Sequence, residues 1–129
     1  MAGSALDQGT LERLDQSAEI EMITPRRDGS ASRRPIWVVV MDGDAYVRSY
    51  LGPRGAWYSR AAADGEAAIG VRDDTIEVGV ERVNDEELNR QVSEAYRAKY
   101  GANSPDSTEA MITPEVTETT LRLTGRAPA

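Results

Sequence analysis

The apolar run at residues 35–41 constrains the fold more than any other stretch of the sequence. From Trp37 to Met41 it contains no polar residue, and a strand of this kind is covered on both faces, as inside a barrel or under a helix. Asp42-Gly43-Asp44 follows directly, and an Asp-Gly pair readily adopts the positive φ angles of a tight hairpin turn. We therefore expect a core strand that pairs antiparallel with a second strand over residues 45–50.

Short segments between turn-forming residues predict the rest of the sheet. Residues 25–32 are rich in Pro, Asp, Gly and Ser, which predicts an exposed loop between two strands. Asp73 and Asp74 are expected to form the turn of a second hairpin. The strands predicted in addition to the core hairpin cover residues 19–24, 67–72, 75–83 and 116–124.

Helical periodicity is clearest at residues 84–101. Asn84 is a favourable N-cap, Glu87 lies three residues later as in a capping box, and Gly101 closes the segment. Apolar residues recur on one face, so this helix is predicted to pack on the sheet. Shorter helices are predicted at residues 10–17, capped by Thr10, and at residues 57–63, with a loop at residues 102–108.

The order of these elements places the chain in the α+β class. Short, mostly antiparallel strands with helices at the start and near the end of the chain describe a small antiparallel barrel or rolled sheet with a packing helix near the C-terminus. A chain of 129 residues has room for one domain with a substantial core. Residues 1–129 are therefore predicted to be a single domain with a flexible N-terminus over residues 1–8. No glycine-rich phosphate loop precedes a helix.

The sequence contains no histidine and no cysteine. Without an imidazole or a thiolate there is no Ser-His-Asp triad, no Cys-His pair and no ordinary zinc site, which argues against a hydrolase. The acidic residues at 42–44 and 73–74 lack the spacing of a calcium loop and are interpreted as turn residues, so no metal site is predicted. The longest apolar run is too short for a membrane span, and no secretory signal is recognisable, so we expect a cytoplasmic protein with no membrane partner.

Positive charge is concentrated in one part of an acidic chain. Between residues 26 and 60 there are seven arginines and three aspartates, a local net charge of +4 in a chain whose total is −7. An acidic surface repels nucleic acid, so no nucleic-acid partner is expected. The clustered guanidinium groups fit a small phosphorylated or carboxylated ligand, although solvated arginines paired with carboxylates would have the same sequence.

Several segments of the chain carry a resemblance to known families. Residues 24–37, Thr-Pro-Arg-Arg-Asp-Gly-Ser-Ala-Ser-Arg-Arg-Pro-Ile-Trp, look like the T-G-R-(K/S)-(S/T)-G-x-x-R-x-x-P-L region of the deazaflavin-dependent nitroreductases. The hairpin at residues 42–49, followed by Gly52 and by Trp57-Tyr58, is similar to that family's D-G-D-x-Y-V-x-x-S-x-x-G and W-Y elements. The whole chain, including residues 95–101 and 111–115, resembles more closely the DUF2255 group, a bacterial family of unknown function in the same flavin-binding split-barrel superfamily.

This resemblance implies a split β-barrel that forms a homodimer and uses FMN or F420 for hydride transfer to an unknown small molecule. The isoalloxazine or deazaflavin ring would lie between the subunits, with its phosphate held by basic and hydroxyl groups of adjacent strands. Arginine donates bidentately to phosphate, serine adds a hydroxyl donor, and flat apolar side chains suit a tricyclic ring. The matching cofactor-binding positions are Arg26, Arg27, Arg33, Pro35, Ile36, Trp37, Ser49, Trp57 and Tyr58.

Departures from the family pattern keep a second interpretation open. The family's second basic residue falls on Ser32, one position before Arg33, and the element around Trp57 lacks the family's proline and asparagine. The alternative is a cofactor-free pocket protein that binds or transforms a hydrophobic small molecule without redox chemistry. No catalytic residue is assigned; the proton donors that the chain offers are Tyr46, Tyr50, Tyr58, Tyr96 and Tyr100.

The proposed site residues also have purely structural interpretations. Trp37 in an apolar run is compatible with a core position, and Ser49 is compatible with the end of a strand. Arg26 and Arg27 lie beside Asp28 and are compatible with a solvated turn. The sequence does not decide between these interpretations and a binding site.

Overall fold

The structure, a computed structural model, describes residues 5–125. In chain order its elements are α1 (Gln8–Gln16), β1 (Ile20–Pro25), β2 (Ala31–Ile36), β3 (Val39–Met41), β4 (Asp44–Val47), a 3-10 helix (Gly52–Arg54), α2 (Ala56–Asp64), β5 (Glu66–Val71), β6 (Asp74–Arg82), α3 (Glu86–Tyr100), α4 (Pro105–Ala110), α5 (Pro114–Thr117) and β7 (Leu121–Gly125). The N-terminal stretch predicted to be flexible falls in part on residues 1–4, which lie outside the described residues. Leu6, within that stretch, is buried in the core.

The seven strands form one antiparallel sheet in the order β2-β1-β5-β6-β7-β4-β3. The edge strands β2 and β3 are nonetheless consecutive in the chain. A flat sheet of this size would hold its edges about 29 Å apart at the usual strand spacing, whereas the residue steps from Ile36 to Val39 span at most about 11 Å. The sheet therefore curls until its edges meet, which makes it a split β-barrel of the α+β class, as predicted.

The prediction of one continuous core strand over residues 35–41 is wrong. β2 ends at Ile36, the next two residues cross from one sheet edge to the other, and β3 begins at Val39. The Val38 amide donates to the Tyr100 hydroxyl at 3.2 Å instead of to a neighbouring strand. An unbroken apolar run predicts burial, but it does not locate the point where the chain leaves one strand and joins another.

The predicted hairpins are present. In the turn between β3 and β4, Asp42 and Gly43 have φ angles of 51° and 81°, the positive values that a tight two-residue turn requires. β5 and β6 form the second predicted hairpin, but its turn consists of Arg72 and Asp73, because Asp74 already pairs with Val71 at the start of β6. The exposed loop predicted at residues 25–32 is shorter than expected because β1 and β2 extend into it. It is closed by the Arg26 amide, which donates to the Ser30 carbonyl at 2.8 Å.

Helices α1, α2 and α3 lie close to the predicted positions, but two N-caps differ. The Asp7 carboxylate accepts the Thr10 amide hydrogen at 2.7 Å, so Asp7 caps α1 and Thr10 lies inside the helix. α3 is capped by Asp85 instead of Asn84, because the Asp85 carboxylate accepts the Leu88 amide hydrogen. Neighbouring residues with cap-forming side chains have similar intrinsic preferences, so sequence does not rank them.

The C-terminal part of the chain differs most from the prediction. The loop predicted at residues 102–108 includes the start of α4, and the strand predicted at residues 116–124 is helical at its beginning. Both short helices, α4 and α5, start with a proline, at a position where the missing N–H removes no helical hydrogen bond. The Thr119 and Thr120 hydroxyls then donate back to carbonyls three residues earlier, a local pattern that competes with strand pairing.

Apolar side chains form two clusters on opposite faces of the curled sheet. Along β4, Ala45 and Val47 belong to an inner cluster inside the barrel, and Tyr46 belongs to an outer cluster, as the alternation of side chains along a strand requires. α3 contributes Val92 and Tyr96 to the outer cluster, so the predicted packing of this helix on the sheet is confirmed. Each helix in residues 5–125 is too short or too polar to span a lipid bilayer.

Candidate functional site

A cavity of about 290 Å³ opens where the two edges of the barrel meet. Its walls come from the last residues of β2, the segment after β4, the start of α2 and the chain around α4. A volume of this size lies at the small end of the range for small-molecule sites. The lining residues are Glu19, Pro35, Ile36, Trp37, Arg48, Tyr50, Trp57, Ser107 and Met111.

Two tryptophans form flat parts of the cavity wall. Trp37 stacks on Tyr100 with ring centroids 3.9 Å apart and planes inclined by 3°. The Tyr100 hydroxyl accepts the Val38 amide hydrogen at 3.2 Å and donates to the Ala18 carbonyl at 2.9 Å, so the stack is tied to the backbone. Trp57 is nearly buried. These contacts hold the aromatic walls in place without a ligand, which lowers the entropy cost of binding one.

Arg48 is the most deeply buried residue of the cavity wall, with 1% of its surface exposed. Its Nε donates to the Thr120 hydroxyl at 2.9 Å, and its Nη2 donates to the Asn89 carbonyl at 2.9 Å. Nη1 donates to the Ser93 hydroxyl at 2.9 Å and to the Met111 carbonyl at 3.1 Å. All four acceptors are uncharged groups, so these bonds orient the guanidinium without neutralising it.

No carboxylate within residues 5–125 pairs with this guanidinium. The ion pairs of the described chain join other side chains, and the Arg48 Cζ lies 5.4 Å from the centre of the Tyr96 ring. Desolvation lowers the pKa of Arg48 from its ordinary value, yet arginine is so basic that it stays charged. The cavity wall therefore contains a buried cation that has no ion-pair partner among residues 5–125, an arrangement that is costly in free energy.

The polar groups around the cavity define the chemistry that this chain brings to it. Of the five tyrosines considered as proton donors, Tyr50 lines the cavity and is 60% exposed. Glu19 is an exposed carboxylate at the same cavity, and Ser107 is an exposed hydroxyl. Across residues 5–125, no three acidic side chains are grouped as metal ligands would be. The protein therefore supplies hydrogen-bonding groups, charged groups and a tyrosine proton donor at this cavity.

Four of the predicted cofactor-binding residues come together in the cavity wall. Pro35 and Ile36 end β2, Trp37 begins the crossing between the sheet edges, and Trp57 lies in the first turn of α2. The curl of the sheet brings α2 to the crossing segment, although about 20 residues separate them in the chain. These residues supply apolar and flat surface, which is the role that the resemblance implies for them.

Ser49 and Tyr58, two further predicted positions, do not line the cavity. The Ser49 hydroxyl donates to the Gly52 carbonyl at 2.8 Å. A Cβ on Gly55 would lie 2.2 Å from the Ser49 Oγ, so the turn is packed closely around this hydroxyl. Tyr58 is buried in the inner cluster, edge-on to Trp57 with ring centroids 6.2 Å apart. Both side chains are used in contacts that stabilise the fold.

Arg26, Arg27 and Arg33 are exposed and lie outside the cavity wall. Arg26 and Arg27 occupy the turn between β1 and β2, and the full length of β2, about 17 Å at the usual rise per residue, separates this turn from Ile36. Arg33 forms an ion pair of 3.2 Å with Glu21 on the neighbouring strand. Within one chain these arginines therefore do not join the cavity.

Sequence reasoning missed Glu19, Arg48, Ser107 and Met111 as cavity residues. Arg48 belongs to the clustered arginines and to the hairpin that resembles a family motif, but neither pattern indicates that it is buried. One signal was available, because Arg48 is the one charged residue in the stretch 45–51 next to the core strand. Ser107 lies in a segment predicted as a loop, and no local pattern places it beside β4.

The curled antiparallel sheet and the aromatic cavity at its closing edge define a split-barrel protein, a class that includes flavin- and deazaflavin-binding proteins. The chain belongs to the DUF2255 family, described as an uncharacterized protein conserved in bacteria, whose family model matches residues 10–123. No functionally curated protein matches the sequence.

Solved structures share this fold at low sequence identity. An FAD-binding protein from Mycobacterium smegmatis is 16% identical with a TM-score of 0.58, over 96% of this chain and 92% of that one. An F420-H2-dependent reductase is 13% identical with a TM-score of 0.57, over 82% of this chain and 93% of that one. The heme storage protein HutZ from Vibrio cholerae is 14% identical with a TM-score of 0.62, over 96% and 92%. These similarities establish the fold and not a ligand.

Proposed function

We propose that this protein is a flavin- or deazaflavin-binding oxidoreductase that uses FMN or F420 for hydride transfer to a small molecule. The observation that carries the proposal is the cavity wall built from Trp37 and Trp57, with Pro35 and Ile36 beside them. Flat apolar surface of this kind binds a planar ring system. Proteins of the same fold that are named for binding FAD and for using F420-H2 support the choice of cofactor.

The cavity fits the ring of such a cofactor better than its tail. Ile36, Trp37 and Trp57 offer apolar contacts to a tricyclic ring. A volume of about 290 Å³ is small for a complete cofactor, so the tail and its phosphate would extend from the mouth of the cavity. The bound cofactor would supply the hydride chemistry, and the residues of this chain would bind the ring, orient it and exclude water.

The phosphate needs donors that a single chain does not bring to the cavity. Arg26 and Arg27 are exposed and form no ion pair with another described residue. In the homodimer that we propose, these arginines from a second copy bind the phosphate, because a symmetric interface lets a turn of one subunit reach the cavity of the other. A monomeric protein with full cofactor affinity would contradict this part of the proposal.

Two observations favour a second candidate, a cofactor-free pocket protein that binds or transforms a hydrophobic small molecule. The cavity is small, about 290 Å³, and the hydroxyl of Ser49, a predicted phosphate donor, already donates to Gly52. The fold also occurs in a protein named for heme storage. Loss of a flavin with retention of the pocket is consistent with this arrangement.

The absorbance spectrum of the purified protein, followed by titration with FMN and F420, distinguishes the two candidates. Trp37 and Trp57 are the chain's only tryptophans, so quenching of their fluorescence reports binding in the cavity. We expect saturable binding that Arg26→Ala combined with Arg27→Ala weakens at least about tenfold, as loss of charge-assisted hydrogen bonds predicts.

Arg90→Ala is the matched control, because Arg90 is exposed on α3 and, among residues 5–125, forms an ion pair only with Glu87 on the same helix. It should leave cofactor affinity unchanged. No quenching by either cofactor at high micromolar concentration would refute the redox proposal and favour the cofactor-free pocket.

A further inference from the structure

A buried positive charge in the cavity wall has no ion-pair partner within the described part of the chain. Arg48 is 1% exposed, its hydrogen-bond acceptors are neutral, and it takes part in none of the ion pairs among the described residues. Proteins that bury a cation normally pair it, because an unpaired buried charge is costly. An anion that binds from outside the chain would reduce this cost.

The Arg48 guanidinium also retains an unused donor. Arginine carries five N–H groups in a planar fork, and four of them donate to the neutral groups described above. The remaining N–H, on Nη2, has no acceptor among the residues that the structure describes. Ser107 lines the same cavity, and its hydroxyl likewise forms no hydrogen bond within residues 5–125. The cavity thus brings together an unneutralised cation and two unused donors.

The four hydrogen bonds of Arg48 have a structural role of their own. They join the chain after β4 to α3 through Ser93 and Asn89, and to the segment after α4 through Met111. No neutral side chain carries four N–H donors, so these bonds require a guanidinium. The structural role accounts for the four bonded N–H groups, and it leaves the charge that comes with them without an ion-pair partner in the cavity wall.

We propose that the cavity binds a small, flat carboxylate, which accepts hydrogen bonds from the Arg48 guanidinium and the Ser107 hydroxyl. The aromatic walls around Trp37 take the apolar body of the ligand. A single cation with one spare N–H and one hydroxyl matches a monoanion, whereas a phosphate dianion requires more donors. The volume of about 290 Å³ limits the ligand to a flat ring system with small substituents.

This carboxylate takes the volume that the proposed function gives to the cofactor ring, so the two ligands would compete for the cavity. Binding of the carboxylate requires no cofactor and does not rest on the proposed function. The inference can therefore be tested on the protein alone.

Benzoate and benzamide test the inference on the wild-type protein without cofactor. The two compounds have nearly the same shape and differ in charge, and the fluorescence of Trp37 and Trp57 reports occupancy of the cavity. We expect benzoate to bind in roughly the millimolar range and at least about tenfold more tightly than benzamide, as a charge-assisted hydrogen bond predicts. Equal affinities, or no binding of either compound, would overturn the proposal.

Variants at non-buried positions locate the carboxylate without disturbing the core. Ser107→Ala removes the hydroxyl and is expected to weaken benzoate binding about tenfold and benzamide binding less, because a carboxylate accepts a stronger hydrogen bond than a neutral amide. Glu19→Gln removes the exposed carboxylate at the cavity and is expected to strengthen benzoate binding about two- to five-fold, the range of a screened surface interaction. Ser104→Ala, beside α4 but outside this cavity wall, is the matched control and should change neither affinity.

Arg48→Met is expected to remove the preference for benzoate over benzamide. If this variant does not fold, Ser107→Ala and Glu19→Gln still decide the matter, because wild-type benzoate affinity in both would contradict the proposed position of the carboxylate. Binding of FMN with equal affinities for benzoate and benzamide would refute the carboxylate site and leave the cofactor proposal standing. Benzoate selectivity without FMN or F420 binding would support this site and refute the redox function.

Discussion

The Tyr100 hydroxyl holds the segment that joins the two edges of the barrel, and Tyr100→Phe measures how much this contact stabilises the fold. The hydroxyl accepts the Val38 amide hydrogen at 3.2 Å and donates to the Ala18 carbonyl at 2.9 Å. The Tyr100 ring stacks on Trp37 at 3.9 Å. Phenylalanine keeps the ring and its stacking, so the substitution removes the hydrogen bonds alone.

The expected loss of stability follows from the Val38 amide, which is left without a hydrogen-bond acceptor. Val38 is fully buried, and within the described residues its amide donates only to the Tyr100 hydroxyl. The Val38 carbonyl keeps the Lys99 ammonium as a donor at 2.7 Å. An unpaired buried N–H costs about 1–3 kcal/mol. We therefore expect the free energy of unfolding to fall by about 2 kcal/mol, which corresponds to roughly 8 °C in Tm for a domain of this length.

Tyr96, one helical turn earlier on α3, provides the matched control. It is fully buried, and its hydroxyl has no hydrogen-bond partner within residues 5–125. Removing an unpaired buried hydroxyl removes a desolvation cost. Tyr96→Phe is therefore expected to leave the stability unchanged or to raise it by up to about 1 kcal/mol.

Urea unfolding of both variants at neutral pH tests this reasoning, with the slope m as the check that the unfolding reaction is the same. Equal destabilisation by the two substitutions would refute it, since the covalent change is identical and only the hydrogen bonds differ.

Alkaline pH gives an independent test of the same contact. Burial raises the pKa of Tyr100 from 10.0 to about 12, so the folded protein holds this proton more tightly than the unfolded chain. The resulting contribution to stability is complete below pH 10 and is lost as the pH rises toward 12. Tyr100→Phe should lack this part of the alkaline decline.

Two further sets of substitutions test contacts away from the cavity. Gly55→Ala places a Cβ 2.2 Å from the Ser49 Oγ and is expected to destabilise the fold by about 1–3 kcal/mol. In the Ser49→Ala background the cost should fall by at least about 1 kcal/mol in a double-mutant cycle measured by urea unfolding, and strictly additive costs would contradict the contact. The hydrogen bond from the Thr10 amide lowers the pKa of the Asp7 carboxyl below its ordinary 3.8. The ionised cap therefore stabilises α1 above pH 3.8, and this stabilisation is lost as the pH falls through the lowered pKa of Asp7. Thermal unfolding of Asp7→Asn should differ most from the wild type at neutral pH and approach it in acid; a difference independent of pH would count against the cap.

Resemblance and periodicity contributed different parts of the candidate site. Pro35, Ile36, Trp37 and Trp57 were predicted from the resemblance to flavin- and deazaflavin-binding families, and they line one cavity. Periodicity alone indicated only that Trp37 belongs to an apolar run. Neither the resemblance nor the periodicity predicted Ser107 as a cavity residue. The position of α4 is set by its contacts with α3, and six residues of α4 carry no periodic pattern from which those contacts could be predicted.

By itself, the sequence determined the features whose causes are local. The Asp42-Gly43 turn, the exposed turn after β1 and the long helix α3 follow from residues that act on their immediate neighbours. The lack of histidine and cysteine likewise excluded a Ser-His-Asp triad, a Cys-His pair and an ordinary zinc site.

Only the tertiary structure decided where the apolar run divides and which charged residue is buried. The crossing between β2 and β3 depends on Tyr100, 62 positions from Val38 in the chain. Arg48 is held by acceptors 41 to 72 positions away. Such contacts form only when the sheet closes, because the pairing of distant strands and helices, and not the preference of any single residue, sets the surroundings of each side chain.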